Sequence, residues 1–171
     1  MAGNLYLTVL NGIKTLVAAL QTSAGAGDAG KLVALDPTGK ISDTMMPVGI
    51  GAETAVIAVS ESLAAGDWVN IYGSSGAKCR KADATTAGKE AHGFVLAAAN
   101  FPGDATVYGI SQMNNQLSGL TPGEMYWLST TAGQGVATTP PSASGNVVQR
   151  LGKAVSATEI VFSPDDPVVI P

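Results

Sequence analysis

One histidine, one cysteine and a few clustered charges carry whatever chemistry this chain can do. His92 and Cys79 could form a base and a nucleophile, the thiolate favoured by Lys78, Arg80 and Lys81 beside it. Nothing in the sequence places the two together, and His92 lacks a nucleophile signature around it, so no catalysis is expected. A single cysteine excludes an intrachain disulfide and a cysteine-ligated zinc site, and a single histidine excludes a two-histidine metal site. Asp165-Asp166 could offer oxygens to a hard cation, but no spaced set of ligands accompanies them, and they read as a solvated tail. Gly25 to Gly30 spells G-x-G-x-x-G. The dinucleotide-binding version must follow a strand and open a helix. Here it follows a helical pattern and precedes a proline-broken segment, so it reads as a linker. No cofactor is expected. Lys78 and Arg80 share one face of a strand, with Cys79 and Lys81 on the other. They are either a candidate surface contact for an acidic partner or an edge strand charged against aggregation.

The elements that carry these residues belong to a chain of 171 residues with 21 Gly and 9 Pro. Charged residues make up 13% against a usual ~25%, while apolar residues reach 46%. Such a chain can build a core, yet it lacks the charged surface of an ordinary soluble monomer, so a partner is expected to cover part of it. A net charge of −4 argues against nucleic acid. The apolar runs fall far below the ~18 residues of a membrane span, and no signal peptide is read, so a soluble protein made in the cytoplasm is expected.

The sequence changes character near residue 52. Leu5, Val9, Ile13, Leu16, Val17 and Leu20 fall at spacings of three and four, which predicts a helix over 4–20. A competing signal is present: Leu5, Leu7 and Val9 alternate, and Asn11-Gly12 is a turn dipeptide. Residues 21–30 read as a flexible linker. Beyond them Asp36-Pro37-Thr38-Gly39 is a turn, and Leu32, Val33, Leu35, Ile41, Met45 and Met46 have too few neighbours to make a core. Such an extended arm, up to roughly 100 Å long, must bury itself against something else. From residue 53 onward, turn signals recur every eight to twelve residues. Strands are expected near 55–60, 67–72, 77–82, 91–98, 106–113, 124–129, 135–138, 147–155 and 158–162. This pattern means an all-β sandwich or barrel. Gly152 inside a strand suggests a bulge, and SPDDPVVIP reads as a tail or an edge. Trp68, Tyr72, Tyr126 and Trp127 are expected in core and interface packing.

Several segments in order resemble bacteriophage capsid decoration (cement) proteins and the related head-fibre proteins. LDPTGKI at 35–41, running to Pro47, looks like the connector that recurs in those families. AGDWVNIY at 65–72, RKADA at 80–84 and AHGFV at 91–95 resemble the opening strands of the decoration domain. GLTPGEMYWLS at 119–129, TTPP at 138–141 and QRLGKA at 149–154 are similar to its closing half. The resemblance implies a homotrimer on the outer capsid surface whose arms clamp neighbouring major capsid proteins. On that reading residues 1–52 are a binding arm, with Leu5, Val9, Ile13, Leu16, Leu35, Ile41, Met45 and Met46 as its contacts, and residues 53–171 are a β-barrel domain. The alternative is a head-fibre or tail-fibre attachment module that joins a fibre to the virion and touches the host surface.

Overall fold

At the start of the chain, alternation prevails over helical spacing. The computed structural model describes residues 5–46, 53–137 and 139–171, and the chain divides into two units, Met1–Gly51 and Ala52–Pro171. The expected short helix is instead a hairpin of β1 (Leu5–Leu10) and β2 (Ile13–Ala18). Its register runs from Leu5 opposite Ala18 to Leu10 opposite Ile13. The turn decides the matter: Asn11 and Gly12 sit at φ 52° and 78°, the paired positive values of a two-residue hairpin turn, which no helix accommodates. Tyr6, Thr8, Thr15 and Val17 then favour strands.

Residues 20–46, read as a linker and an extended arm, carry hydrogen bonds among themselves. Leu20 donates to the Leu32 carbonyl at 2.8 Å and accepts from the Ala34 N–H at 2.7 Å, a short parallel bridge beside the end of β2. Between them Ala26–Asp28 forms a 3-10 turn. The Asp28 carboxylate accepts from the Ala24 N–H and the Lys31 ammonium, each at 2.7 Å. Asp36 closes the expected turn by accepting from the Thr38 and Lys40 N–H groups at 2.8 and 2.9 Å. Both carboxyls are held below the usual range, Asp28 chiefly by the Lys31 hydrogen bond and Asp36 by the Lys40 N–H.

In the second unit the turn-punctuated strands appear as the sequence spacing predicts. β3 (Thr54–Val59), β4 (Trp68–Gly73), β5 (Ala77–Lys81), β6 (Gly93–Val95) and β7 (Asp104–Tyr108) close a barrel in the order β3-β5-β4-β6-β7. Only the β3–β5 pair is parallel. Then come β8 (Met113–Asn114), β9 (Met125–Leu128), β10 (Gly135–Ala137), β11 (Val147–Val148), β12 (Arg150–Ala154), β13 (Ile160–Phe162) and β14 (Val168–Val169). Five of these form an antiparallel sheet in the order β10-β9-β12-β13-β8, while β11 pairs with β14. The C-terminal segment is therefore an edge strand, flanked by Pro167 and Pro171.

Two expected strands are each cut in two. The segment 106–113 breaks at Ser111, which takes φ 65°, and the chain passes from the barrel into the second sheet. The segment 147–155 breaks at Gln149, whose buried amide exchanges two hydrogen bonds with the Ala91 backbone, at 2.8 and 3.0 Å. A bulge falls between Arg150 and Gly152. Gly152 has φ 150°, and a Cβ there would run into the Val161 carbonyl oxygen, so this position demands glycine.

Strand alternation gives the unit two cores. Ile57, Val59, Leu63, Val69, Cys79, Val95, Ala99, Ala105 and Val107 fill the barrel lumen. Trp68 and Phe94 project from the other side of their strands and meet Tyr126, Leu128, Leu151, Ile160 and Phe162 of the sheet. The rings interlock edge to face: Trp68 and Phe94 at 5.5 Å, Phe94 and Phe162 at 6.2 Å between centroids.

Candidate functional site

The groups that could do chemistry are each engaged in holding the barrel. Cys79 points into the lumen, fully buried, its thiol nearest the Ile57 carbonyl at 3.9 Å. Burial pushes that thiol up, and the Asp104 charge adds to it, the opposite of what a nucleophile needs. His92 lies on the other edge of β4, exposed, its Nδ1 accepting from the Ile71 N–H at 2.9 Å. It serves β4 as a substitute backbone acceptor beyond the end of β6. The strand between them keeps His92 and Cys79 apart.

The basic cluster is likewise built in. Arg80 stacks over the Tyr72 ring at 4.4 Å and donates to Asn70 Oδ1 at 3.1 Å and the Gly88 carbonyl at 2.8 Å. Lys81 pairs with Asp67 at 3.4 Å. Lys78, the other candidate surface contact, is half-buried. The Gly25–Gly30 stretch contains the 3-10 turn closed by Asp28, with no strand-to-helix junction for a dinucleotide among the described residues. Asp165 is exposed, and it also accepts from the Arg150 N–H at 2.7 Å, which ties the C-terminal segment beside the bulge. No group of three or more His, Cys, Asp or Glu among the described residues could hold a metal ion.

A cavity of about 280 Å³ lies between barrel and sheet, bordered by Trp68, Gln116, Leu120, Tyr126 and Gln134. Trp68 Nε1 is buried there without a hydrogen-bond partner. Asp67, the carboxylate of that wall, is already committed to the Ala64 N–H at 2.8 Å and to Lys81. The cavity thus offers no pair of free acid and base groups.

The apolar surface lies elsewhere. None of the first-unit residues whose burial is described is buried. Leu5, Leu7, Val9, Ile13, Leu16, Leu32, Val33, Leu35, Ile41 and Met46 are all exposed, Leu7 and Leu16 at 63% and Ile13 at 69%. Met45 is half-buried in the 3-10 turn Asp43–Met45. The hairpin sorts these side chains by face. Leu5, Leu7 and Val9 lie opposite Ala18, Leu16 and Lys14, which puts all six on one side, each exposed. The opposite side holds Tyr6, Thr8, Thr15 and Val17, each half-buried, and Ile13, which is exposed. Helical spacing brought Leu5, Val9 and Leu16 into the contact set but left out Leu7, which only the period-two alternation finds. Leu32 and Val33, exposed here, lay outside the expected contact set, although the same shortage of neighbours marks them.

Compared with known protein families, with curated proteins and with solved structures, the chain matches none.

Proposed function

We propose that this chain is a structural virion protein that decorates and stabilises the outer surface of a bacteriophage capsid as a homotrimer, clamping neighbouring major capsid proteins. One observation carries the reading: among the first-unit residues whose burial is described, ten large apolar side chains are exposed and none is buried. A surface of that kind is an interface awaiting a partner. Each side chain contributes roughly 1–2 kcal/mol when covered, before the cost of association. Three units acting together then bind as one. The barrel unit, which fills two cores and leaves Val56, Phe101, Ile110, Met113, Val155, Val168 and Val169 exposed, serves as the rigid knob. The role calls for no enzyme activity, cofactor, nucleic acid or membrane.

The test is co-sedimentation with purified shells that lack this protein. The full chain is expected to saturate them at a ratio on the order of one copy per coat subunit, and residues 52–171, which hold both cores, to stay in the supernatant. Saturation by the 52–171 fragment alone would remove the binding role of the first unit. Failure of the full chain to bind would remove the capsid reading. Saturation at only a few dozen copies per shell would replace it with fibre attachment.

A further inference from the structure

We infer that the N-terminal hairpins of three copies of this chain close into one six-stranded antiparallel barrel, with Leu5, Leu7, Val9, Leu16 and Ala18 inside. The inference rests on the reading of the first unit as an adhesive surface, and it assigns one face of that unit to sister copies.

In a two-residue hairpin the closing pair, here Leu10 and Ile13, exchanges both of its hydrogen bonds, and every second pair does the same. The N–H and C=O groups of Leu5, Leu7 and Val9 therefore point away from β2. Those of Lys14, Leu16 and Ala18 point away from β1, along the line that Leu20 continues by bridging to residues 32–34. Both edges are open strands. The β1 edge, LYLTVL, carries no charge, no proline and no bulge, the devices by which a natural edge discourages pairing. The β14 edge, by contrast, is bracketed by two prolines.

The residues with open backbone groups are the same ones whose side chains make the exposed apolar face. Pairing the β1 edge of one copy with the β2 edge of the next satisfies both edges and turns that face inward. Repeated head to tail, the contact closes into a ring. Back-to-back pairing of two β1 strands would leave both β2 edges and the whole face in water. Four strands from two copies make too narrow a barrel for leucines. The barrel of the second unit shows that five strands already enclose a lumen filled with Ile57, Val59, Val69 and Val95, and three hairpins supply six. Closure removes on the order of 1,000 Å² of apolar surface, shared among three junctions that the backbone pairing of the open edges holds together. Lys14, next to the turn, reaches the mouth with its ammonium. Leu32, Val33, Leu35, Ile41 and Met46 stay outside the ring, free for the shell.

The experiment is the mass of the full chain in solution by light scattering or sedimentation. Three times the chain mass of 17.1 kDa is expected. Leu7→Pro removes an N–H that β2 does not use, and should lower the mass threefold while leaving the second unit's melting unchanged. Leu16→Lys puts a charge inside the ring without touching a backbone bond and should do the same. Thr8→Lys, on the opposite face, should keep the trimer. A monomer, dimer or tetramer of the natural chain overturns the ring. So does a trimer that survives both Leu7→Pro and Leu16→Lys, or one that is lost only with Thr8→Lys. A monomer that still saturates shells removes the ring and spares the capsid reading, and a trimer that ignores shells does the reverse.

Discussion

The two units spend the same kind of residue in opposite ways. In Ala52–Pro171, Trp68, Phe94, Leu128, Leu151 and Phe162 are fully buried. In Met1–Gly51, leucines, valines and isoleucines of the same β-forming type stand in water. The difference lies in closure. A barrel with a sheet laid against it has a lumen and an interface, so alternate residues of β4 find a core on either side. A lone hairpin has two faces and two edges and nothing to cover them, and is marginal by itself. Apolar content therefore says little about where a core will be. What decides it is whether the strands meet other strands.

That contrast can be attacked from the buried side first. Phe94→Ala removes a ring that touches Trp68, Tyr108 and Phe162. It should cost the second unit about 3–5 kcal/mol in denaturant melts, whereas Leu7→Ala in the first unit should move that transition by less than about 0.5 kcal/mol. Similar losses from both would mean that the first unit is no separate unit in stability. Next comes Gly152→Ala, which forces a side chain into a conformation and a space that exclude it. A cost of at least about 2 kcal/mol is expected, and an unchanged melt would mean that the bulge relaxes freely.

The smallest effect is electrostatic. Burial alone would raise the Asp83 carboxyl. The Thr85 hydroxyl and N–H and the Lys89 ammonium at 3.0 Å outweigh it, so the carboxyl is held below its usual range. A lowered folded pKa contributes stability that is present above the unfolded value of about 3.9 and disappears as pH falls through the folded one. Asp83→Asn should therefore cost the second unit about 1–2 kcal/mol at neutral pH and flatten its loss of stability below about pH 4. An equally steep acid limb in the variant would assign that loss to other carboxylates.

Much of the barrel unit was legible because its turns are written in Gly, Pro, Asp and Ser, which fix where a strand must stop. The two long strands that turned out to be four were not legible, since their breaks depend on a positive φ at Ser111 and on a buried Gln149 side chain that pairs with backbone 58 residues away. The hairpin was half legible. Leu5, Val9, Ile13 and Leu16 fit a helix and a strand equally well, and Asn11-Gly12 was the residue pair that discriminated. The exposed apolar residues of the first unit were readable as a list short of neighbours, at Leu35, Ile41 and Met46. Its division into two faces was not, because a face exists only once the register is known.

The lumen-facing thiol of Cys79 makes the barrel its own clock. With the side chain fully buried and its ionisation disfavoured, a thiol reagent can reach it only when the strands part. The rate of its modification then counts barrel openings, in a molecule with no second thiol to confuse the signal. A cysteine introduced on the exposed N-terminal hairpin would react at once while the native one stays silent. The natural chain thus accepts a single probe on its exposed hairpin without any change to its core.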